Sequence, residues 1–277
     1  MTLLQIDVHS PMGELLELPL RGPSTFSVKS VEGLGLVAAT IGTAQNANLD
    51  GLVETSSFLG GRDIRLRLGI VNRMGMDTPS KSRQRLFQIL PTGQTVTLVL
   101  HHDDLPDMEI SGKVETAEHN MFSANLEFVF NIRCLNPRFM VRTPKVLSKT
   151  TAIASLDENV TNEGSEIVGF ELKVKAITNS IDSFQVDITN ELGRVETLNY
   201  IGLIPVNAQV IIRTTPGDRA CIFITAAGVE TPLIQRITST STWARLYPGV
   251  NRVRLTKSGA GSINPLTLTY NEAFGGV

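Results

Sequence analysis

The sequence predicts a mainly β protein with one helix in its first half and a β-sandwich of jelly-roll or Greek-key type in its second. Three observations predict it. Residues 122–134 alternate Phe122, Ala124, Leu126, Phe128, Phe130, Ile132 and Cys134 with Ser123, Asn125, Glu127, Val129, Asn131 and Arg133. Side chains along a strand point to opposite faces in turn, so this is one long amphipathic strand. A single stretch, near 78–90, carries helix start and stop signals. Beyond residue 166, short apolar–polar runs follow one another between turns, with no helical period.

The elements follow in order. GRDIRLRLGIV (61–71) sets Ile64, Leu66, Leu68 and Ile70 against Asp63, Arg65 and Arg67, with Asp50-Gly51 as a turn signal ahead of it. Asp77-Thr78-Pro79 caps and starts the helix, with Pro at the first helical position. Leu86, Phe87, Ile89 and Leu90 form its apolar stripe, Arg83 and Arg85 flank it as a solvated face, and Pro91 and Gly93 end it. QTVTLVLH (94–101) points Val96, Leu98 and Leu100 one way, and MEISGKVE (108–115) does the same with Met108, Ile110 and Val114. The long 122–134 strand stops at Asn136-Pro137, because Pro donates no ladder hydrogen bond and restrains the residue before it.

The chain then changes character. Residues 141–166 are rich in Thr, Ser, Asn and Glu and read as a connector with at most one short strand. Strands resume at 169–177, 182–190, 208–215, 219–227, 251–259 and 265–273. They are separated by Thr215-Pro216-Gly217-Asp218, Ala227-Gly228, Pro248-Gly249-Val250-Asn251 and Ser258-Gly259-Ala260-Gly261. The expected division is a first domain of residues 1–145 and a second of residues 146–277.

Composition narrows the class. With 277 residues, 42% hydrophobic and 19% charged, the chain has the apolar material for a real core. A net charge of −2 and a pI near 6.1 argue against a mainly electrostatic nucleic-acid binder. No run approaches the roughly 20 apolar residues of a membrane helix, so membrane insertion is not expected. The N-terminal residues lack a basic region and include Asp7 and Glu14, unlike a secretory signal. Cys134 and Cys221 lie far apart and read as buried free thiols.

Catalytic chemistry is sparse. His101-His102-Asp103-Asp104, with Asp107 and Glu109, has metal-ligand residue types, but adjacent histidines need a third fixed ligand, and a polar hairpin loop is the stronger reading. Asp157, Glu158 and Asn159 lack calcium-loop spacing. Gly33 and Gly35 in EGLG are a fragment without the third glycine of a dinucleotide fingerprint. There is no nucleophile elbow and no phosphate loop, and His9, His101, His102 and His119 stand beside no nucleophile in sequence. The expectation is therefore no catalytic residue, no metal, no cofactor and no enzymatic activity.

The order of several motifs carries a resemblance. Gly61-Arg62-Asp63-Ile64-Arg65-Leu66 lies on an early strand, and Ile110-Ser111-Gly112-Lys113-Val114-Glu115 on a later one. Asn131-Ile132-Arg133-Cys134-Leu135-Asn136-Pro137-Arg138-Phe139 marks the exit of the first domain. Pro248-Gly249-Val250-Asn251-Arg252-Val253, Leu266-Thr267-Leu268-Thr269-Tyr270 and the closing Gly275-Gly276-Val277 complete the set. Nearly end to end, this resembles the distal tail protein family of long-tailed (siphovirus) bacteriophages.

The resemblance implies a structural protein of the virion, made in the host cytoplasm and placed at the tail tip. It implies a β-sandwich or split-barrel, ring-forming first domain with one helix and a galectin-like, jelly-roll second domain projecting outward. It implies a homo-hexamer, or two stacked rings, joining the tail tube protein to tail-tip or baseplate proteins. A central channel would pass the tape-measure protein and then DNA without specific binding. Closed head-to-tail interfaces make rings and cover sheet edges, which agrees with a strand-rich chain. Mild acidity suits DNA transit, since phosphate contacts are what hold DNA.

Two rival classes are a carbohydrate-binding module, with Trp243, Tyr247 and Tyr200 as stacking rings, and another tail-tube or secretion-tube component. Only 5% of residues are aromatic, and 243–247 lacks the galectin sugar-binding run. Core packing is the stronger reading of Trp243, and the long second sandwich argues against a simple tube subunit.

Overall fold

The computed structural model describes residues 2–45, 50–71, 78–119, 126–149, 151, 153 and 155–277. The chain is mainly β, with one α-helix among the described residues, and divides into two compact units. The first is Met1–Arg142 together with Phe274–Val277; the second is Thr143–Ala273. The return of the last four residues to the first unit has no counterpart in the sequence reading.

In the first unit the strands are β1 (Leu3–His9), β2 (Leu15–Pro19), β3 (Phe26–Glu32), β4 (Ala39–Gln45), β5 (Leu52–Leu59) and β6 (Arg62–Ile70). After helix α1 (Pro79–Ile89) come β7 (Thr95–His102), β8 (Met108–His119), β9 (Glu127–Cys134) and β10 (Phe139–Val141). The main sheet runs β2-β1-β7-β8-β9-β6-β3, antiparallel throughout, and curls into a half-barrel. Its concave core collects Ile6, Val8, Ile64, Leu66, Leu68, Val96, Leu98, Leu100, Ile110, Phe128, Phe130 and Ile132, and α1 adds Leu86, Ile89 and Leu90.

The register predicted for β6, β7, β8 and β9 is the one observed. Phe128, Phe130, Ile132 and Cys134 are buried, while Glu127, Val129 and Asn131 are half-buried and Arg133 is exposed. Phe122, Ser123, Ala124 and Asn125 lie outside the described residues. So does Asp77: the described start of α1 is Thr78, extended at φ −62° and ψ 149°, with Pro79 next and no side-chain cap bond. The helix stops where Leu90 N–H reaches the Leu86 carbonyl at 2.8 Å. Gly93 then turns at φ +81°, a conformation that favours glycine, and its N–H joins the Val114 carbonyl at 2.7 Å.

Strands β1 to β5 were not foreseen. β4 and β5 form a separate two-stranded sheet with no hydrophobic alternation. The Asp50-Gly51 turn leads into β5 of this hairpin rather than into β6, with Gly51 at φ +102°.

The second unit holds β11 (Lys145–Lys149), β12 (Leu156–Asn162), β13 (Glu171–Ala176), β14 (Ile181–Asn190) and β15 (Val195–Ile204). It continues with β16 (Gln209–Arg213), β17 (Ala220–Ile224), β18 (Glu230–Pro232), β19 (Gly249–Ser258) and β20 (Ile263–Tyr270); β21 (Ala273–Phe274) ends the chain's strands. A six-stranded sheet, β11-β20-β13-β16-β17-β18, and a four-stranded one, β12-β19-β14-β15, each bury alternate residues, as a β-sandwich requires. The Tyr270 hydroxyl on β20 donates to the Thr161 carbonyl on β12 at 2.7 Å, linking the two sheets.

The expected connector at 141–166 is a correction, since it contributes two strands rather than at most one. β11 pairs with β20 from Lys145–Tyr270 to Lys149–Leu266, and β12 pairs with β19 from Leu156 to Asn162. Their inward sets include polar residues such as Asn162, which hid the alternation. β15 was missed for the inverse reason. It buries Glu196 and Gly202 and exposes Ile201 and Leu203, so polarity runs against position.

Candidate functional site

The residues singled out in sequence are dispersed, and the notable geometry of the first unit lies at the open side of the half-barrel. β2 and β3 are the two ends of the curled sheet and are not hydrogen-bonded to each other. A groove of about 460 Å³ runs along β2 against the helix, lined by Glu14, Leu15, Lys81, Gln84, Arg85 and Gln88. A second, of about 200 Å³, shares Leu15 and Arg85 with it and reaches Glu17, Thr25 and Phe26. The two adjoin at Leu15 and Arg85 in one trough that carries both signs of charge, Glu14 and Glu17 at β2 and Lys81 and Arg85 from α1, with the start of β3 at the far side.

The β2 edge is open by parity. Ser10 pairs with Glu14 and Leu20 with Leu4 through backbone hydrogen bonds. Antiparallel pairs alternate, so Leu16 and Leu18 turn their backbone groups to β1, and Leu15 and Glu17 turn theirs to the trough. Arg85 and Lys81 are exposed on the helix, whereas Arg83 is half-buried.

The β4–β5 hairpin is the other unusual surface. Its strands pair from Ala39–Leu59 to Gln45–Leu52 and, among the described residues, make no substantial contact with any other element. Ile41 is 58% exposed, Phe58 59% and Leu52 67%. An isolated two-stranded ribbon is marginal in water, and exposed apolar clusters mark interaction sites.

The glycine fragment at 33–35 has a structural use. Arg62, only 2% exposed, donates from Nε to the Pro137 carbonyl at 2.8 Å and from its terminal nitrogens to the carbonyls of Gly33, Gly35 and Gly275. Its guanidinium lies 4.4 Å from the Phe139 ring centroid. Gly33 sits at φ +88°, and a Cβ there would fall 2.1 Å from the Asp63 carbonyl oxygen. Only glycine admits that approach.

The histidine cluster separates. His101 is held between two carboxylates, with Nδ1 2.8 Å from Asp107 and Nε2 3.0 Å from Asp7. Burial pulls the imidazole pKa down, and the hydrogen bonds to Asp7 and Asp107 outweigh it, so the net shift is upward. His102 is buried on the opposite face, and desolvation lowers its pKa. Among the described residues, no group of three or more His, Cys, Asp or Glu side chains is placed to hold a metal. Cys134 and Cys221 are free and buried, and burial pushes both thiols up to about 11. Asp157 takes both Arg252 nitrogens at 2.6 and 2.5 Å in an exposed pair.

The three proposed stacking rings behave differently from one another. Tyr200 is 1% exposed and stacks on Phe184 at 5.1 Å, so it offers no platform. The Tyr247 hydroxyl donates to the buried Glu196 carboxylate at 2.5 Å, and the same carboxylate accepts from the Arg245 backbone N–H at 2.9 Å. Trp243 departs from its expected core position: it is half-buried at φ +51°, with the Arg219 guanidinium 5.5 Å over its ring.

No protein-family model matches the chain, and no curated protein matches it significantly. Solved structures do. The crystal structure of the phage SPP1 Dit protein, described as a paradigm of the hub adsorption apparatus in phages infecting Gram-positive bacteria, matches at a TM-score of 0.67 and 18% identity. That match covers 97% of this chain and 99% of that one. A chain of the phage P2 baseplate in its activated conformation with calcium matches at a TM-score of 0.49 and 9% identity, over 98% of each. The chain shares the fold of the SPP1 Dit protein over 97% of its length.

Proposed function

We propose that the chain is a structural hub subunit of a phage tail. Six copies form a ring through their first units, single or as two stacked rings, and the ring joins the tail tube to tail-tip or baseplate proteins. The second, galectin-like unit faces outward. The central channel passes the tape-measure protein and then DNA, which the mildly acidic chain does not retain. The subunit is made in the host cytoplasm, ends at the tail tip of the virion, and performs no catalysis.

The observation that carries this reading is the match to SPP1 Dit over 97% of the chain, which spans both units. Open strand edges at β2 and β3 and the exposed hairpin support it, because a head-to-tail ring covers such edges. The rival sugar-binding reading loses Tyr200 to the core.

Sedimentation and electron microscopy of the purified protein test it. The expected result is six-membered rings, or pairs of them, with the mass of six or twelve 30.1 kDa chains. Strictly monomeric protein at high concentration, with no rings in the presence of tail proteins, overturns it.

A further inference from the structure

We infer that the second unit carries a binding site for a neutral saccharide on the outer face of its four-stranded sheet. The site lies within one chain, so it goes beyond the hub reading and does not depend on ring formation.

The site is a groove of about 420 Å³, within the roughly 300–1,000 Å³ of small-ligand sites. Strand register builds its floor. Gln185 on β14 stands between Thr256 on β19 and Asn199 on β15, and Ser183 stands between Ser258 and Ile201. Residues facing each other across an antiparallel pair point the same way, so the two rows make one surface. Thr238 walls the groove beside β15, its N–H joined to the Asn199 carbonyl at 3.1 Å. The Phe184 and Tyr200 rings are buried beneath, so the groove grips by hydrogen bonds and not by ring stacking.

The lining selects the ligand. A carboxylate only accepts hydrogen bonds, so Asp187 takes the Gln185 Nε2 donor, at 2.8 and 2.9 Å, and fixes the amide with its carbonyl oxygen uncommitted. The Thr197 hydroxyl donates to Asp187 at 2.7 Å and holds it in place. The Asn199 side-chain amide and the Thr256 hydroxyl make no hydrogen bond to another described residue. Ser183 and Ser258 share one hydroxyl contact at 2.8 Å, which leaves a further proton to donate. Donors and acceptors therefore stand side by side, which suits sugar hydroxyls, since each both gives and takes. Ile201, 57% exposed, meets the aliphatic face of a sugar ring. Lys257 is the one charged side chain of the lining, and its Nζ donates to the Gly259 carbonyl at 2.9 Å, so an anion gains little. A peptide strand finds no free edge. β14 is paired on both sides, and the far side of β15 is taken by the Tyr200–Ile237 bridge and by the Thr242 N–H to the Thr197 carbonyl at 2.8 Å.

Saturation-transfer NMR and titration test this on the full-length protein, with oligosaccharides of glucose, of galactose and of N-acetylglucosamine at about 10 mM, which fills most of a site whose Kd is on the order of 1 mM. The expected result is that at least one oligosaccharide binds and that Asn199→Ala with Thr256→Val weakens it at least about tenfold. Both positions are half-buried on the outer face, and circular dichroism checks the fold. Ile201→Asp, at an exposed position, is expected to weaken binding as well and keeps the test open if the double variant is unstable. Lys173→Ala, on β13 of the other sheet, is expected to leave binding unchanged. The site is overturned if none of the oligosaccharides binds, if binding survives the groove substitutions, or if inorganic polyphosphate binds the groove more tightly than any of them. Rings without sugar binding would remove this site and leave the hub reading standing, and sugar binding without rings would do the reverse.

Discussion

The Arg62 guanidinium donates a hydrogen bond to the carbonyl oxygen of Gly275, joining the start of β6 to the last residues of the chain. The same side chain holds the carbonyls of Gly33, Gly35 and Pro137, so one buried cation satisfies four backbone acceptors from three separate segments. Burial lowers the Arg62 pKa, but a guanidinium stays charged in proteins, and the carbonyls around it take the place of water.

Arg62→Met is therefore expected to destabilise the first unit by about 3 kcal/mol or more, because carbonyls left dry cost about 1–3 kcal/mol each. Arg62→Lys is expected to recover little of this, since one ammonium cannot span the same acceptors. Urea unfolding followed by far-ultraviolet circular dichroism measures both. A loss under 1 kcal/mol for Met would show that the clasp is not stabilising.

Removing residues 274–277 takes away the Gly275 acceptor, the Val277 N–H bond to the Leu34 carbonyl and the packing of Phe274 and Val277 on the first core. The expected outcome is a lower melting temperature for the first unit. Residues 143–273 alone are expected to fold, since both sheets of the second unit lie within that span. Calorimetry of the truncated chain and of the fragment reads each directly, and an unfolded fragment would show that the second unit depends on the first.

Phe130→Asp buries a carboxylate in the middle of the half-barrel, where Phe130 is fully buried, at a cost comparable to a domain's whole stability of about 5–15 kcal/mol. Asn131→Asp, one position along, faces the other way and loses only a 2.6 Å hydrogen bond to Thr116. Expression and melting should separate the two sharply. Equal behaviour would mean the register is wrong by one residue.

His101 makes stability fall with rising pH. Its folded pKa lies above the ordinary 6.5, so protonation favours the folded state. The contribution is fully present below the unfolded value and is lost as pH rises through the folded value. The difference in melting temperature between wild type and His101→Gln should thus be largest near pH 5.5 and shrink toward pH 8.5. A difference that is flat or grows with pH contradicts the Asp7–His101–Asp107 geometry.

Much of the fold was legible where one rule governed a segment. β6, β7, β8 and β9 each bury one face, so period-two alternation named their inward residues, and the punctuation of Pro79, Pro91 and Gly93 bounded α1. β15 was illegible because Glu196, an inward position, is matched by Tyr247 and Arg245 from distant sequence. No local pattern announces a buried carboxylate whose partners arrive only on folding.

By itself the sequence determined the strand-rich class, the inward side chains of β6 to β9 and the absence of basic residues from Ser30 to Gly61, because these depend on residue type and spacing alone. Tertiary structure alone decided that β4–β5 pairs in no larger sheet among the described residues, that β2 and β3 end the curled sheet without pairing to each other, and that Gly275 returns to Arg62. Those are relations between segments far apart in the chain. Backbone groups and exposed apolar side chains read alike in sequence whether a neighbour covers them or not, and only the path of the whole chain settles which are left open.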